Sequence, residues 1–444
     1  MRICAVPSLF MRKILQDENV LKNCKIFGML AAQSPSHVSF HTPGHKVSGW
    51  DITELSYSDN LSCPTGCIAA AEQDIAQILG AAKSFILTDG STCGVLSMLH
   101  AVRALGVKKI AVCEDSHKSV FNGCALLGIT PLVYPQKRER KIPKGYTVSA
   151  LKAEFIEILA EADALFFTSP DYYGNIADLA AARAYCDETN KLLLVDGAHG
   201  GHLHFDRALY AGTYADFWVD GVHKSLPALT QGAVVSARTE KLGEELRLAL
   251  DIFRTTSPSY PIMASVEYAV KYPRNFDLEE RVRAFVSDCQ RMYFGGDWTK
   301  LCAVFGEHAF TAAKEAENAG LYSEFCDGNV VTFYLSPATT IKDFERLTTF
   351  LEEQFKKYPL SKSTKKGIER DTSAVVFPEN RETEWVKLTA AVGRVCARTC
   401  GLFPPCTPLI KIGERITDEK LALLKRADNV FGLRDGKIEV FKEE

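Results

Sequence analysis

The chain has 444 residues, a mass of 49.0 kDa and a formal net charge of −3, a length sufficient for roughly two or three domains. Hydrophobic residues make up 46% and charged residues 24% of it, proportions that exclude a disordered or fibrous protein. The pI of about 6.4 argues against the broad basic surface that a nucleic-acid partner would require.

The sequence also bears on the compartment in which the protein works. Its continuous apolar runs are shorter than the roughly 18 residues of a membrane-spanning helix, and its first residues lack the apolar core of a secretory leader. The 14 cysteines are scattered, unlike those of a small secreted disulfide scaffold. We therefore expect a cytoplasmic protein with reduced thiols and no membrane partner.

Helical spacing and short apolar runs alternate from about residue 68 to residue 237. This alternation is typical of a repeated βα unit with a mostly parallel sheet, and the continuous apolar character of the runs indicates strands buried on both faces. The predicted helices are 68–81, 94–105, 120–127, 149–162 and 179–189. The predicted strands are 84–88, 109–113, 131–134, 164–168, 192–195, 217–220 and 233–236.

Beyond residue 272 the predicted helices become longer and the strands isolated. The predicted helices there are 277–292, 309–319, 341–357 and 382–399, and the predicted strands are 330–335 and 374–377. We therefore predict an α/β protein with three parts: an N-terminal segment (1–45), a large domain (46–275) and a smaller C-terminal α+β domain (276–444).

Polar side chains cluster directly after the predicted strands, where open α/β sheets bind their ligands. Within segment 88–94, Ser91 and Thr92 lie between two glycines at the start of a predicted helix. Backbone N–H groups and the helix dipole favour a phosphate at such a position. The alternative is that one of these hydroxyls simply caps the helix.

Two charged residues follow apolar strands further along the chain. Asp196 ends the run 192–195, so its carboxylate needs a partner, for which a protonated pyridine nitrogen would serve; the alternative is a structural turn cap. Lys224 follows the run 216–222, and burial there would lower its pKa and make its amine a nucleophile toward an aldehyde. A solvated lysine is the alternative.

The histidines suggest a competing interpretation. His199, His202 and His204 are closely spaced, and His41 and His45 lie four residues apart, which would suit a metallohydrolase. Zinc enzymes, however, carry motifs such as HExxH or CxxC, which the sequence lacks. We therefore predict no metal.

Taken together and in this order, these segments make the sequence resemble the Orn/Lys/Arg decarboxylase family, which consists of fold-type-I pyridoxal-phosphate (PLP) enzymes. The segments that carry the resemblance are 40–46 (FHTPGHK), 89–92 (DGST), 116–119 (SHKS), 170–174 (PDYYG), 196–199 (DGAH), 223–231 (HKSLPALTQ), 255–260 (TTSPSY) and 403–405 (FPP). The resemblance covers nearly the whole chain, and it implies a PLP-dependent transferase-like large domain.

The resemblance implies four catalytic residues. Lys224 would carry PLP as a Schiff base, and Asp196 would pair with the pyridine nitrogen. His117 would stack on one face of the ring, and His199 would line the other. With the substrate's α-carboxylate held perpendicular to the ring, CO2 would leave, and Lys224 or a nearby histidine would return a proton to the α-carbon.

The remaining implied contacts hold the cofactor in place. Ser91, Thr92 and His223 would hold the phosphate, and Ala198 would lie beside His199 against the ring. The family's segment at 256–260 lies near the cofactor at a subunit interface, so we expect at least a homodimer.

The substrate implied by the resemblance is arginine, lysine or ornithine, and the product a diamine or agmatine in polyamine metabolism. Because the first motif begins at about His41, the chain resembles the family's short form, which lacks the N-terminal wing domain. Other fold-type-I reactions stay open, namely those of an aminotransferase or a C–S lyase, as does a catalytically weakened regulatory homologue.

Several positions depart from the family pattern. Asp89, Glu114, Asp171, Gly197 and Gly221 stand where the family usually has Asn, Arg, Thr, Glu and Ser. We expect the carboxylates at 89 and 114 to weaken phosphate binding unless they are turned away or paired. We also expect Gly221 to remove a phosphate-binding hydroxyl.

Overall fold

The computed structural model describes residues 17–32, 38–46, 50–135, 138–139, 142–143, 148–293, 295–360, 382–402, 407–426 and 430–443. The chain divides into two compact units. The first unit combines residues 1–101, 195–281 and 335–340, and the second combines 102–194, 282–334 and 341–444. Among the helices of the described residues, none is long and apolar enough to cross a membrane.

A large mixed sheet is the main feature of the fold. The strands up to residue 237, β1 to β9, are Lys83–Leu87, Lys109–Cys113, Thr130–Tyr134, Arg138–Glu139, Ile142–Pro143, Ala164–Thr168, Leu192–Gly197, Phe217–Asp220 and Ala233–Ala237. Seven of them follow the order β1-β9-β8-β7-β6-β2-β3. Strand β2 runs parallel to β3 and β6, whereas β9 runs antiparallel to β1 and β8. The sheet is mostly parallel, which confirms the predicted α/β class.

Helices follow most of these strands. The described α-helices, α1 to α15, are Glu18–Leu21, Lys25–Ala31, Cys67–Leu79, Gly90–Ala104, Lys118–Leu127, Val148–Glu154, Ile156–Glu161, Leu179–Thr189, Val222–Ser225, Glu240–Phe253, Tyr260–Val270, Phe276–Asp288, Ala309–Asn318, Ile341–Lys357 and Asp418–Arg426. Short 3-10 helices cover Gly201–Phe205, Ala211–Thr213, Gly306–His308 and Leu388–Ala390.

The core of the first unit explains why its strands read as apolar runs. All residues of β8 and β9 are buried, as are four of the five in β1. Helix α3 buries one apolar stripe, which includes Ile68, Ile75 and Leu79, as expected for a helix packed on a sheet. It ends at Gly80, whose φ of +74° is the left-handed conformation that glycine adopts readily.

The second unit contains smaller sheets in addition to β2, β3 and β6. Its further strands, β10 to β18, are Met292–Tyr293, Lys300–Val304, Phe325–Cys326, Val330–Tyr334, Thr383–Lys387, Cys400–Leu402, Thr407–Ile410, Val430–Phe431 and Lys437–Phe441. They form sheets in the orders β10-β11-β13-β12, β14-β18 and β16-β15-β17. The predicted boundaries at 46–275 and 276–444 stay a prediction.

Most predicted elements of the large sheet are confirmed. Strands 109–113, 164–168 and 217–220 and helices 179–189 and 341–357 have the predicted bounds. The predicted helix 149–162 is instead two helices, because Phe155 leaves the helical conformation at φ −137°. The predicted strand 374–377 and motif 403–405 lie outside the described residues.

The predicted helix 382–399 is wrong. Strand β14 begins there and pairs antiparallel with β18, which places Val386 against a buried cluster that includes Ile438. Further along, Gly393 adopts φ +82°, a conformation that a right-handed helix excludes. Cross-strand pairing and this turn therefore override the helical spacing of the apolar residues.

Candidate active site

Lys224 lies on the short helix α9, which follows strand β8 directly. The backbone N–H of Lys224 donates to the Gly221 carbonyl at 2.8 Å, so the first turn of α9 fixes where its side chain starts. The Lys224 Nζ lies 3.3 Å from Nε2 of His199, which is 3% exposed. The amine is therefore half-buried beside an imidazole that can exchange a proton with it.

Asp196 lies in β7 and is also 3% exposed. Its Oδ1 accepts a hydrogen bond from the Ala198 backbone N–H at 3.0 Å. Burial raises the pKa of Asp196, and the positive charge of Lys224 opposes that rise. The structure therefore brings together Lys224, His199, Ala198 and Asp196, and the carboxylate suits a cationic ligand group, which would complete its charge balance.

Helix α4 begins beside this group of residues. At its first residue, Gly90, the φ is +74° and the N–H donates to the Gln231 carbonyl at 3.0 Å. The hydroxyl of Ser91 is buried, and no described residue hydrogen-bonds to it, whereas Thr92 is exposed. A buried hydroxyl without a protein partner at the start of a 15-residue helix fits one oxygen of a phosphate.

His223 presents a second group suited to an anion. Its Nδ1 lies 2.9 Å from the Gly232 carbonyl, so Nδ1 carries a proton and donates it there. Burial lowers the pKa of His223, and the neighbouring Lys224 lowers it further. A nearby phosphate would reverse this effect by favouring the cationic ring, whose Nε2 could then donate.

Gly221 lies close to both Ala198 and Ser91, so it connects the residues around Lys224 with the start of helix α4. A Cβ at position 221 would lie 2.4 Å from the Ala198 carbonyl oxygen and 2.9 Å from the Ser91 hydroxyl. The expectation that Gly221 merely removes a phosphate-binding hydroxyl is therefore incomplete. In this chain the strand-to-helix turn has no room for a side chain.

We expect Gly221→Ala to destabilise the fold by about 1–3 kcal/mol, because the Ala198 backbone must move to admit the methyl group. Urea unfolding measures this change. Gly28→Ala is the matched control: a Cβ at that position in α2 meets nothing within 4 Å, so alanine should stabilise the helix by roughly 0.5–1 kcal/mol. Equal stability of Gly221→Ala and the wild type would contradict the close approach.

The carboxylate of Asp89 is paired. Its Oδ2 accepts from the Thr255 backbone N–H at 3.3 Å and from the Thr88 hydroxyl at 3.5 Å. These donors offset part of the charge that we expected to weaken phosphate binding. The neighbouring segment 255–260 thereby contributes to the site within the same unit.

His117 lies in the second unit, at the start of helix α5. Its Nδ1 accepts from the Ser119 backbone N–H at 3.2 Å and lies 2.8 Å from the Ser119 hydroxyl, so it caps the helix. Asp171 lies in the same unit and accepts from the backbone N–H groups of Tyr173 and Asn175, both at 2.9 Å. Burial raises the pKa of Asp171 to about 6. The stacking role of His117 stays a prediction.

His204 has a local structural role. His204 Nδ1 lies 2.7 Å from the Gly201 carbonyl, and burial lowers the pKa of His204 to about 4. Within the part of the chain that the structure describes, no group of three or more His, Cys, Asp or Glu residues is arranged to hold a metal ion.

Sequence reasoning missed the buried carboxylate of Asp220, which lies next to the strand that carries Asp196. Asp220 ends strand β8 and is 1% exposed, and the Tyr210 hydroxyl donates to its Oδ2 at 2.6 Å. The signal was present in the sequence as a charged residue closing an apolar run, the same signal that identified Asp196. It was read only as the end of a strand.

Residues 27–292 match the family model described as the major domain of Orn/Lys/Arg decarboxylases. An uncharacterised protein of Bacillus subtilis is 29% identical over 446 residues, which cover 89% of this chain and 92% of that protein. An arginine decarboxylase of Halalkalibacterium halodurans is 26% identical over 473 residues, which cover 91% of this chain and 93% of that protein.

Among solved structures, lysine decarboxylase A from Pseudomonas aeruginosa matches with a TM-score of 0.74 at 18% identity. The match covers 94% of this chain and 80% of that chain. At this identity the likeness shows the fold alone, and it confirms the predicted fold-type-I architecture.

Proposed function

Because the chain belongs to the Orn/Lys/Arg decarboxylase family, we propose that it decarboxylates a basic amino acid with PLP, the cofactor of that family. The observation that carries the proposal is the buried group around Lys224: an amine 3.3 Å from His199 and electrostatically coupled to the buried Asp196. An amine, an imidazole and a carboxylate in this arrangement suit a cofactor with an aldehyde and a basic ring nitrogen.

Different residues around Lys224 would bind different parts of the cofactor. Ser91, Thr92 and His223 would hold its phosphate at the start of α4 and α9, and Asp196 would keep its ring nitrogen protonated. Bound PLP would supply an electron sink for the charge that develops on the substrate's α-carbon as CO2 leaves.

The protein's own contribution to the chemistry is proton transfer and positioning. Lys224 would bind the cofactor's aldehyde, and its amine could return a proton to the substrate's α-carbon. His199 takes up or supplies that proton through its 3.3 Å contact with the amine. Ala198 and His199 would line one face of the cofactor's ring.

The substrate class follows from the family and is arginine, lysine or ornithine. A relative that is 26% identical is named an arginine decarboxylase, which makes arginine the first substrate to test. The product would enter polyamine metabolism in the cytoplasm. The large domain, residues 46–275, would hold the cofactor, and segment 256–260 would lie at the interface of a homodimer or larger homo-oligomer.

The proposal is tested by incubating the purified chain with PLP and each of the three amino acids while CO2 is measured. We expect CO2 and the matching amine in equal amounts from at least one substrate. Formation of a keto acid without CO2 would show an aminotransferase instead. Bound PLP without any CO2 from all three substrates would contradict decarboxylation of a basic amino acid.

A further inference from the structure

A second buried carboxylate, that of Asp220, lies beside the proposed cofactor site and has no part in the roles given above. Asp220 ends β8 and Asp196 lies in β7, the neighbouring strand of the sheet, and the two residues are 1% and 3% exposed. Two ionised carboxylates in one apolar core repel each other strongly, so such a pair favours a state with one proton.

Hydrogen bonds fix which oxygen of Asp220 is free to hold that proton. The indole Nε1 of Trp218 donates to the Tyr210 hydroxyl oxygen at 3.0 Å, and the Tyr210 hydroxyl donates to Asp220 Oδ2 at 2.6 Å. An indole nitrogen can only donate, so the single proton of Tyr210 has to point at Asp220. Oδ2 therefore serves as an acceptor.

The second oxygen of Asp220 is in a different position. Oδ1 is buried, and no described residue hydrogen-bonds to it. A proton on Oδ1 leaves the bond from Tyr210 intact and removes the cost of a buried negative charge. Burial raises the pKa of Asp220 to about 7 although the Tyr210 hydroxyl donates to its Oδ2, and the charge of Asp196 adds to the rise.

Two further titratable residues, Arg207 and His204, lie near the ring of Tyr210, whose hydroxyl donates to Asp220. The guanidinium of Arg207 lies 5.8 Å from the centre of the Tyr210 ring, and the His204 ring lies 6.4 Å from it. Burial lowers the pKa of His204 to about 4, with smaller contributions from His202 and Arg207, so this imidazole is neutral near pH 7.

Lys224 acts on the other carboxylate, because its positive charge favours the ionised form of Asp196. The cation thus stabilises a negative charge on Asp196, while Tyr210, the donor that the structure describes for Asp220, is a neutral group.

Resting on the proposed function, we propose that Asp220 is a positioning residue that holds a proton beside Asp196, so that the pair carries one negative charge, located on Asp196. A single charge there matches a single protonated ring nitrogen of the cofactor. When Asp220 ionises, the pair gains a second negative charge, which would change the electrostatic environment of a ring bound at Asp196.

The first measurement needs no cofactor. Infrared spectra of the full-length chain are recorded as a function of pH. The wild type should show the C=O stretch of a protonated carboxyl group, and this band should disappear as the pH rises, with a midpoint near pH 7. The band should be missing from Asp220→Asn at every pH. Tyr210→Phe removes the donor that favours ionised Asp220, so the midpoint should rise by about one pH unit. Identical spectra of the wild type and Asp220→Asn at pH 6 would overturn the proposal.

The second measurement adds PLP. The visible absorbance of the wild type should change with the same midpoint as the infrared band, Asp220→Asn should show no such change, and Tyr210→Phe should shift it upward. If Asp220 had a purely structural role, the variants would be less stable, but the pH midpoint of the visible absorbance would not move. The surface variant Asp251→Asn should titrate like the wild type.

The two proposals can fail separately. If the wild type acquires no cofactor absorbance, the proposed function fails while the infrared result still decides where the proton lies. If the cofactor binds but its absorbance in Asp220→Asn titrates like that of the wild type, the role of Asp220 is overturned and the proposed function stands.

Discussion

Lys224→Ala should abolish the visible absorbance of bound PLP and lower turnover by on the order of 10³-fold or more. The half-buried Lys224 amine is coupled electrostatically to Asp196 and lies 3.3 Å from His199, so its loss removes both the group that binds the aldehyde and the group that returns the proton. Absorbance spectra with added PLP and CO2 release from the best substrate measure the two losses.

Lys224→Arg separates the charge of Lys224 from its chemistry. A guanidinium keeps a cation next to Asp196, but it is always protonated and is not a nucleophile, so this variant should fold and still lack the absorbance. Lys241→Ala removes an exposed lysine from α10 and should behave like the wild type. A Lys224→Ala protein that keeps its visible band and its turnover would remove Lys224 from the proposed role.

The large sheet could be predicted from the sequence because its strands are buried on both faces. Continuous apolar runs such as 164–168 and 217–220 have few competing interpretations when helical spacing flanks them. The predicted helix 382–399 was wrong for the opposite reason. Its apolar residues suit a helix as well as a strand, and only pairing with β18, distant in the chain, decides between the two.

The candidate site was predictable to the extent that its residues follow strands. Asp196 and Lys224 come after apolar runs, and the structure brings them together with His199. The steric role of Gly221 was not predictable, because it depends on the Ala198 carbonyl, which approaches from the turn after β7. A sequence motif shows which residue is present, but not which backbone atom lies against it.

Asp220 shows a different limit of sequence reasoning. A carboxylate at the end of an apolar strand signals burial, but its protonation depends on Tyr210, Trp218 and Asp196. Trp218 lies in the same strand, whereas Tyr210 and Asp196 become neighbours of Asp220 only when the chain folds. The same residue type at the ends of β7 and β8 therefore has two proposed roles, one charged and one neutral.

Asp196→Asn should lower turnover by at least roughly 10²-fold while the visible absorbance of bound PLP still develops, because Lys224 is retained. The neutral amide keeps the shape of the side chain and can still accept from the Ala198 N–H, but it supplies no negative charge to balance a protonated ring nitrogen. Turnover and absorbance are measured on the same preparation, with Asp187→Asn, whose carboxylate is 68% exposed, as the control that should match the wild type. Undiminished turnover in Asp196→Asn would show that the ring nitrogen does not depend on this carboxylate.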